Sequence, residues 1–329
     1  MTNSDSHAGV CRICNNTANN LHHTAYEMLF GTREAFDYIE CPACGTVQIS
    51  AVPENLGQYY PKGYYSYAKP IKERQNWLTR KLKQRRVAYA LYHRSLVGMI
   101  LAKIYGYWPY YDWFRAAKIQ QSDSILDLGC GSGEFLLRLQ SEGFTNLRGA
   151  DPFIEKTIAH DNGVKIFKQY PHELSGQFDV VMMHHVFEHV PNPREILATV
   201  RRLLRPNGVL LLSMPVVGWA WKHYGVNWIQ LDPPRHLYVY TQKGFDNLAK
   251  EAGFNLIETF YNSTSFLFTG SEMYKRGLSF YQTAPGADPV RRDLSKIFTS
   301  KQIAEFDRQA AELNGKRAGD QACFVLRRV

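Results

Sequence analysis

Long hydrophobic runs are missing from this 329-residue chain. The two most apolar stretches, Leu96 to Trp108 and Val209 to Trp221, are too short to cross a bilayer and are broken by Lys103 and Pro215. Met1 to Val10 is polar and lacks the apolar core of a secretory leader. A soluble, cytoplasmic protein is therefore expected. Cysteine is scarce as well: of six, four fall into two C-x-x-C pairs, which argues against a disulfide scaffold. Internal repeats and low-complexity tracts are absent. Acid is nearly absent from Lys69 to Arg94, where nine lysines and arginines face the single Glu73. With a net charge of +9, that imbalance points to an anionic partner: nucleic acid, a phosphorylated carrier or a membrane surface. What is present, 45% apolar residues, suffices for one large or two modest cores.

The paired cysteines Cys11/Cys14 and Cys41/Cys44 can each grip a tetrahedral metal from one side, and together they supply a full thiolate set for a structural zinc ion. A hairpin over Tyr26 to Glu40 would fill the spacer, so residues 1–58 are expected to form a zinc ribbon. Next comes a tyrosine-rich stretch, Tyr59 to Tyr67, with five tyrosines in nine residues. It reads either as hinge packing or as a flap whose Tyr64 and Tyr65 line a polar substrate pocket. The basic segment has helical periodicity with an apolar stripe at Trp77, Leu78 and Leu82, either a solvated helix or a face for anionic headgroups and phosphates. Residues 59–121 thus form a connecting helical region.

From Ser124 onward strands and helices alternate, which predicts a parallel sheet covered on both faces. The strands read as Ser124–Leu128, Leu147–Ala150, Val164–Phe167, Phe178–Met183, Val209–Ser213 and Phe254–Tyr261. The final run Ala322–Arg328 should return antiparallel beside the sixth, leaving 262–319 as an insertion. The predicted fold is α/β, a Rossmann-like doubly wound sheet over 122–329 with an antiparallel last strand, plus the ribbon and helical additions.

Strand one runs into Gly129-Cys130-Gly131-Ser132-Gly133, a turn in which alternate glycines let backbone approach a ligand. The third glycine comes one residue too early for the dinucleotide form that seats a pyrophosphate. Asp151, 22 residues after Gly129, stands at the end of strand two, where an acid can accept the hydroxyls of a ribose. The run Ile125 to Gly133, Asp151, Gln177-Phe178-Asp179-Val180-Val181, His185 to Pro193 and Leu203 to Val209 together resemble the class I S-adenosylmethionine-dependent methyltransferases. That resemblance implies S-adenosylmethionine as cofactor. It gives the methionine moiety to Gly129, Gly131 and Gly133, the ribose to Asp151, and adjoining contacts to Asp127, Pro152 and His184. An acid often follows strand three in that family; Lys168-Gln169-Tyr170 stands there instead. The ribbon, the tyrosines and Asp232 to Leu237 also resemble methyltransferases encoded with saccharide-modifying enzymes. The C-terminal domain of the sugar C-methylating type has no counterpart, which favours O-methylation of a glycan or another small hydroxylated substrate.

Methyl transfer to an alcohol needs in-line alignment and a base to withdraw the proton, a task suited to histidine. His185, just after strand four, is the expected base, with His236 or His184 as alternatives. Glu188 could orient a histidine or, with His185, hold a metal. Trp219 to Trp228 is aromatic-dense and leads to Arg235, which reads as packing or as a substrate lid in which Trp221 meets a sugar ring and Arg235 an anionic group. An RNA methyltransferase using the ribbon and basic helix is the alternative function, and a non-catalytic cofactor-binding scaffold a third.

Overall fold

The computed structural model describes residues 9–60, 76–282 and 288–329. Tyr64, Tyr65 and the first part of the basic segment lie outside the described residues. Along the chain, β1 (Leu21–Tyr26), β2 (Ala35–Glu40) and β3 (Val47–Ile49) precede three helices, α1 (Trp77–Tyr92), α2 (Leu96–Tyr105) and α3 (Tyr110–Ala117). The alternating part follows: β4 (Ser124–Leu128), α4 (Glu134–Ser141), β5 (Asn146–Ala150), β6 (Ile158–Ala159), β7 (Lys165–Phe167), β8 (Phe178–His184), α5 (Pro193–Leu203) and β9 (Leu204–Pro215). Then come α6 (Trp219–Tyr224), β10 (Tyr238–Val239), α7 (Gln242–Glu251), β11 (Phe254–Tyr261), α8 (Phe266–Lys275), β12 (Tyr281–Gln282), β13 (Val290–Arg291), α9 (Ser300–Gly315) and β14 (Gln321–Arg328).

The main sheet has eight strands in the order β11-β14-β9-β8-β4-β5-β7-β6. Pairings among β9, β8, β4, β5 and β7 are parallel, and β14 runs antiparallel to both its neighbours. This is the doubly wound α/β sheet that the alternation predicts. Strands buried on both faces need continuous apolar runs. Val180 to Met183 and Val209 to Leu212 meet that need, all being buried. Between Leu204 and Val209 the pairing of β9 with β8 is interrupted: Phe178 pairs with Leu204, Val180 with Val209, and the residues between bulge out.

The ribbon is not self-contained. Its four-stranded sheet runs β1-β2-β3-β10, so the last strand comes from beyond residue 237. A single apolar core joins Cys11, Cys41 and Tyr38 to Leu212, Phe187 and Phe245. Thr241 caps α7 by accepting from Gly244 N–H, and its hydroxyl donates to the Cys44 carbonyl, so one side chain ends a helix and holds a knuckle. Arg194, on α5, donates to the Arg12 and Ile13 carbonyls at 2.9 and 2.6 Å.

The stripe expected on the basic helix faces outward. Trp77, Leu78 and Leu82 are exposed, whereas Val87, Ala90 and Leu91 make the buried side of α1. Helix α2 packs across α1 through Gly98, where a Cβ would come 2.0 Å from the Arg85 carbonyl oxygen.

Candidate active site

The site forms at the carboxyl ends of β4, β5 and β8, where an open parallel sheet leaves a crevice. Gly129 has a φ of +71° and its N–H donates to the Ala150 carbonyl. A Cβ there would stand 2.4 Å from Val186 Cγ2, so the glycine loop and the turn after β8 touch. Gly133, at φ +83°, starts α4. Asp151, almost fully buried, accepts from Gly131 N–H at 2.9 Å and from Phe153 N–H at 2.8 Å. Each carboxylate oxygen retains a lone pair for a further donor. Pro152 follows in the same turn. Asp127, buried at the end of β4, is pushed up to about 8 by burial and by the nearby Asp151 charge. A glycine cradle flanked by two buried carboxyls fits a ligand bearing hydroxyls and a positive charge, as S-adenosylmethionine does.

Beyond β8 the chain takes a left-handed step at His185, φ +53°, whose N–H donates to the Ser213 carbonyl. Its ring is partly exposed. Nδ1 lies 3.3 Å from Glu188 Oε1, and the Gln321 amide nitrogen lies 2.9 Å from Nε2. A carboxylate only accepts, so Nδ1 carries the proton that meets Glu188, and Nε2 faces the Gln321 amide. Glu188 is fully buried: burial pushes its carboxyl up, but the His185 hydrogen bond and the surrounding histidines outweigh it and bring the group down to about 2. Gln321, on β14, is 136 residues away in sequence, and no local pattern points to it.

The other two histidines are placed differently. His184 stacks on Trp113 of α3 with centroids 6.0 Å apart, and burial lowers it to about 4. His236 is buried; its Nδ1 lies 2.7 Å from the Gln230 carbonyl and its Nε2 4.0 Å from both Glu188 Oε1 and Asp232 Oδ2. Glu188, His189 and His236 offer ligand atoms within 4.8 Å of one another, close enough to share a cation.

Two expected substrate residues are not available to one. Arg235 is fully buried, with Nε and Nη2 on Asp232 at 2.9 and 2.6 Å and Nη2 on Glu27 at 2.8 Å, so it ties the β1–β2 connection to the main domain. Trp221 is buried edge-on against His23, and Trp228 is fully buried with its indole N–H on Asp320 at 2.9 Å. Of the two readings of this stretch, packing or a lid, the burial of Trp221 and Trp228 accords with packing. Charged and aromatic residues in an irregular loop look available, and only the long-range partners, Glu27 above all, show that they are not.

The four ribbon cysteines converge. Cys11 and Cys44 sulfurs are 3.6 Å apart, Cys14 and Cys41 3.5 Å, and all four lie within 4.8 Å of one another. A tetrahedron with metal–sulfur bonds of about 2.3 Å has edges of about 3.8 Å, so the donor set fits zinc.

A family model described as a methyltransferase domain matches residues 113–259, which include the glycine loop, Asp151 and the histidine turn. The chain carries a methyltransferase domain. The ubiquinone biosynthesis O-methyltransferase of Pseudomonas aeruginosa is 33% identical over 100 residues, 27% of this chain and 43% of that one. EEF1A lysine methyltransferase 2 of Danio rerio is 31% identical over 121 residues, 31% of this chain and 52% of its own length. The chain spans about half the length of the curated relatives it matches. Among solved structures, an S-adenosylmethionine-dependent methyltransferase from Mesorhizobium loti is 18% identical with a TM-score of 0.42, covering 67% of this chain and 97% of that one. The cyclopropane synthase MmaA2 of Mycobacterium tuberculosis is 16% identical with a TM-score of 0.40, covering 66% and 83%. The methyltransferase domain begins within α3, so the ribbon, α1 and α2 lie outside the matched region.

Proposed function

We propose that the chain transfers a methyl group from S-adenosylmethionine to a hydroxyl oxygen of a glycan or another small hydroxylated molecule, with His185 as general base. The observation that carries this reading is the placement of His185: Nδ1 lies 3.3 Å from the buried Glu188 carboxylate, and Nε2 lies at the outer edge of a partly exposed ring beside the glycine loop. S-adenosylmethionine, when bound, supplies a methyl already activated on sulfur. Gly129 to Gly133 and Asp151 hold and orient it. With the cofactor bound, its methyl carbon would be displaced in line from sulfur by the acceptor oxygen; His185 Nε2 takes the hydroxyl proton, and Glu188 stabilises the imidazolium through Nδ1–H. Gln321 must swing from Nε2 for the acceptor to enter. Oxygen as the accepting atom accords with the O-methyltransferases among the relatives. The saccharide class rests on the sequence resemblance, because the aromatic residues expected to pack on a sugar are inside the core. Zinc in the four-cysteine cluster serves to hold the ribbon.

His185→Ala and His185→Gln should abolish turnover while cofactor affinity, measured calorimetrically, stays nearly unchanged. Retained turnover removes His185 as base. Labelled methyl offered with separate fractions of RNA, lipid-linked glycan and small metabolites identifies the acceptor class; label entering RNA alone refutes the proposal.

A further inference from the structure

Ten of the seventeen large apolar side chains exposed among the described residues fall between Trp77 and Trp108. That concentration lies outside the matched methyltransferase region. On α2, Leu96 is 77% exposed and Ile104 65%, with Val97 and Ile100 between them. At 100° per residue these four fall within an arc of about 100°, and Gly98 and Ala102, the buried residues, lie on the opposite side against α1. On α1, Trp77, Leu78 and Leu82 share one side, and Lys81 and Arg85 interleave with them at helical spacing. Tyr105, Tyr107 and Trp108, which end α2 and follow it in the chain, are exposed as well.

An exposed apolar surface of this extent marks an interaction site, and its charge says with what. From Trp77 to Tyr111 the chain has seven lysines and arginines and no aspartate or glutamate. A second copy of so basic a surface would be repelled. Nucleic acid would suit the charge but not a row of leucine, valine and isoleucine, which cannot stack on bases. An anionic lipid bilayer suits both: the aliphatic row enters the acyl boundary, tryptophan and tyrosine sit at headgroup level, and the cationic side chains reach phosphates with their stems along apolar surface. No helix among the described residues is long and apolar enough to span a membrane, so the mode is lying on the surface.

We propose that the α1–α2 hairpin is a docking face for anionic lipid bilayers. It stands whether or not the chain transfers a methyl group. Helix α3 follows directly, and its Trp113 stacks on His184, next to His185, so the docked face lies one helix from the reaction site.

The test is co-sedimentation of the full chain with phosphatidylcholine vesicles and with vesicles containing phosphatidylglycerol. Binding should favour the anionic vesicles, weaken with salt, and resist competition by soluble glycerol phosphate. Ile100→Glu/Ile104→Glu should lower partitioning by about a hundredfold, since two buried aliphatic side chains are lost. Arg80→Glu/Arg85→Glu should weaken it and flatten the salt dependence. Unchanged melting curves show that the variants fold, and quenching of wild-type tryptophan fluorescence by brominated lipid reports insertion without any variant. Equal binding by wild type and Ile100→Glu/Ile104→Glu, or none to anionic vesicles, overturns the proposal. So does competition by glycerol phosphate, which means a soluble-phosphate site, or a dimer or RNA complex that the isoleucine changes abolish while lipid binding is absent.

Discussion

Replacing Arg235 by methionine removes one cation from between two buried carboxylates. Its guanidinium sits on Asp232 through two donors, on Glu27 through one, and reaches the Tyr59 carbonyl at 3.3 Å, with no solvent exposure. Methionine fills the volume but leaves Asp232 and Glu27 uncompensated, and breaking a buried ion pair from one side costs about 3–5 kcal/mol. A 329-residue chain melts with an entropy of about 0.7 kcal/mol/K, so Tm should fall by about 4–7 °C. Arg235→Lys should recover only part, because an ammonium cannot match the forked contact to Asp232. Glu27→Gln combined with Arg235→Met should cost less than the two singles summed, since the groups share one network. Calorimetry on the purified chain reads all four values, with steady-state kinetics alongside. An unchanged Tm with a raised KM would mean that the guanidinium meets substrate, and the anchoring argument would fail.

Gly129→Ala places a methyl group 2.4 Å from Val186 Cγ2 at a φ of +71°, so it should cost about 1–3 kcal/mol and lower cofactor affinity, as titration calorimetry would register. His184 is held near 4 by burial, below its unfolded value of about 6.5. Stability from its neutral form is complete above about 6.5 and lost as pH falls towards 4, by about 3 kcal/mol in total; His184→Gln should flatten that part of the urea-midpoint profile. Stripping metal from the four-cysteine cluster with a strong chelator should lower Tm and expose β1 to β3 to hydrogen exchange before the main sheet; identical exchange with and without chelator would contradict a structural zinc.

The main sheet was legible because its determinants are local. Apolar runs at Ile125, Val180 and Leu210, glycines at fixed offsets and an acid after β5 each announce themselves within a few residues. His185 and Glu188 were legible together for the same reason, being three residues apart. Where partners are distant in sequence, reading failed. Arg235 looks like a ligand for an anionic substrate until Glu27, 208 residues away, is brought beside it. Trp221 and Trp228 look like a lid until His23 and Asp320 cover them. Helical periodicity revealed a stripe at Trp77, Leu78 and Leu82 but not its direction, since an amphipathic helix has the same pattern whether its apolar side meets a core or a membrane.

The two-residue strand β10 pairs Tyr238 with Gln48 and Val239 with Val47. Because these partners lie 190 and 192 residues apart, the order of synthesis matters. The four cysteines leave the ribosome early, yet the sheet beneath them stays one strand short until residue 239 has followed, after most of the main sheet's strands. Closure of the sheet that carries the four-cysteine cluster is thereby coupled to completion of the main sheet, and a fragment ending near residue 58 would carry all four cysteines and an unprotected edge at β3, a place for another chain to add a strand.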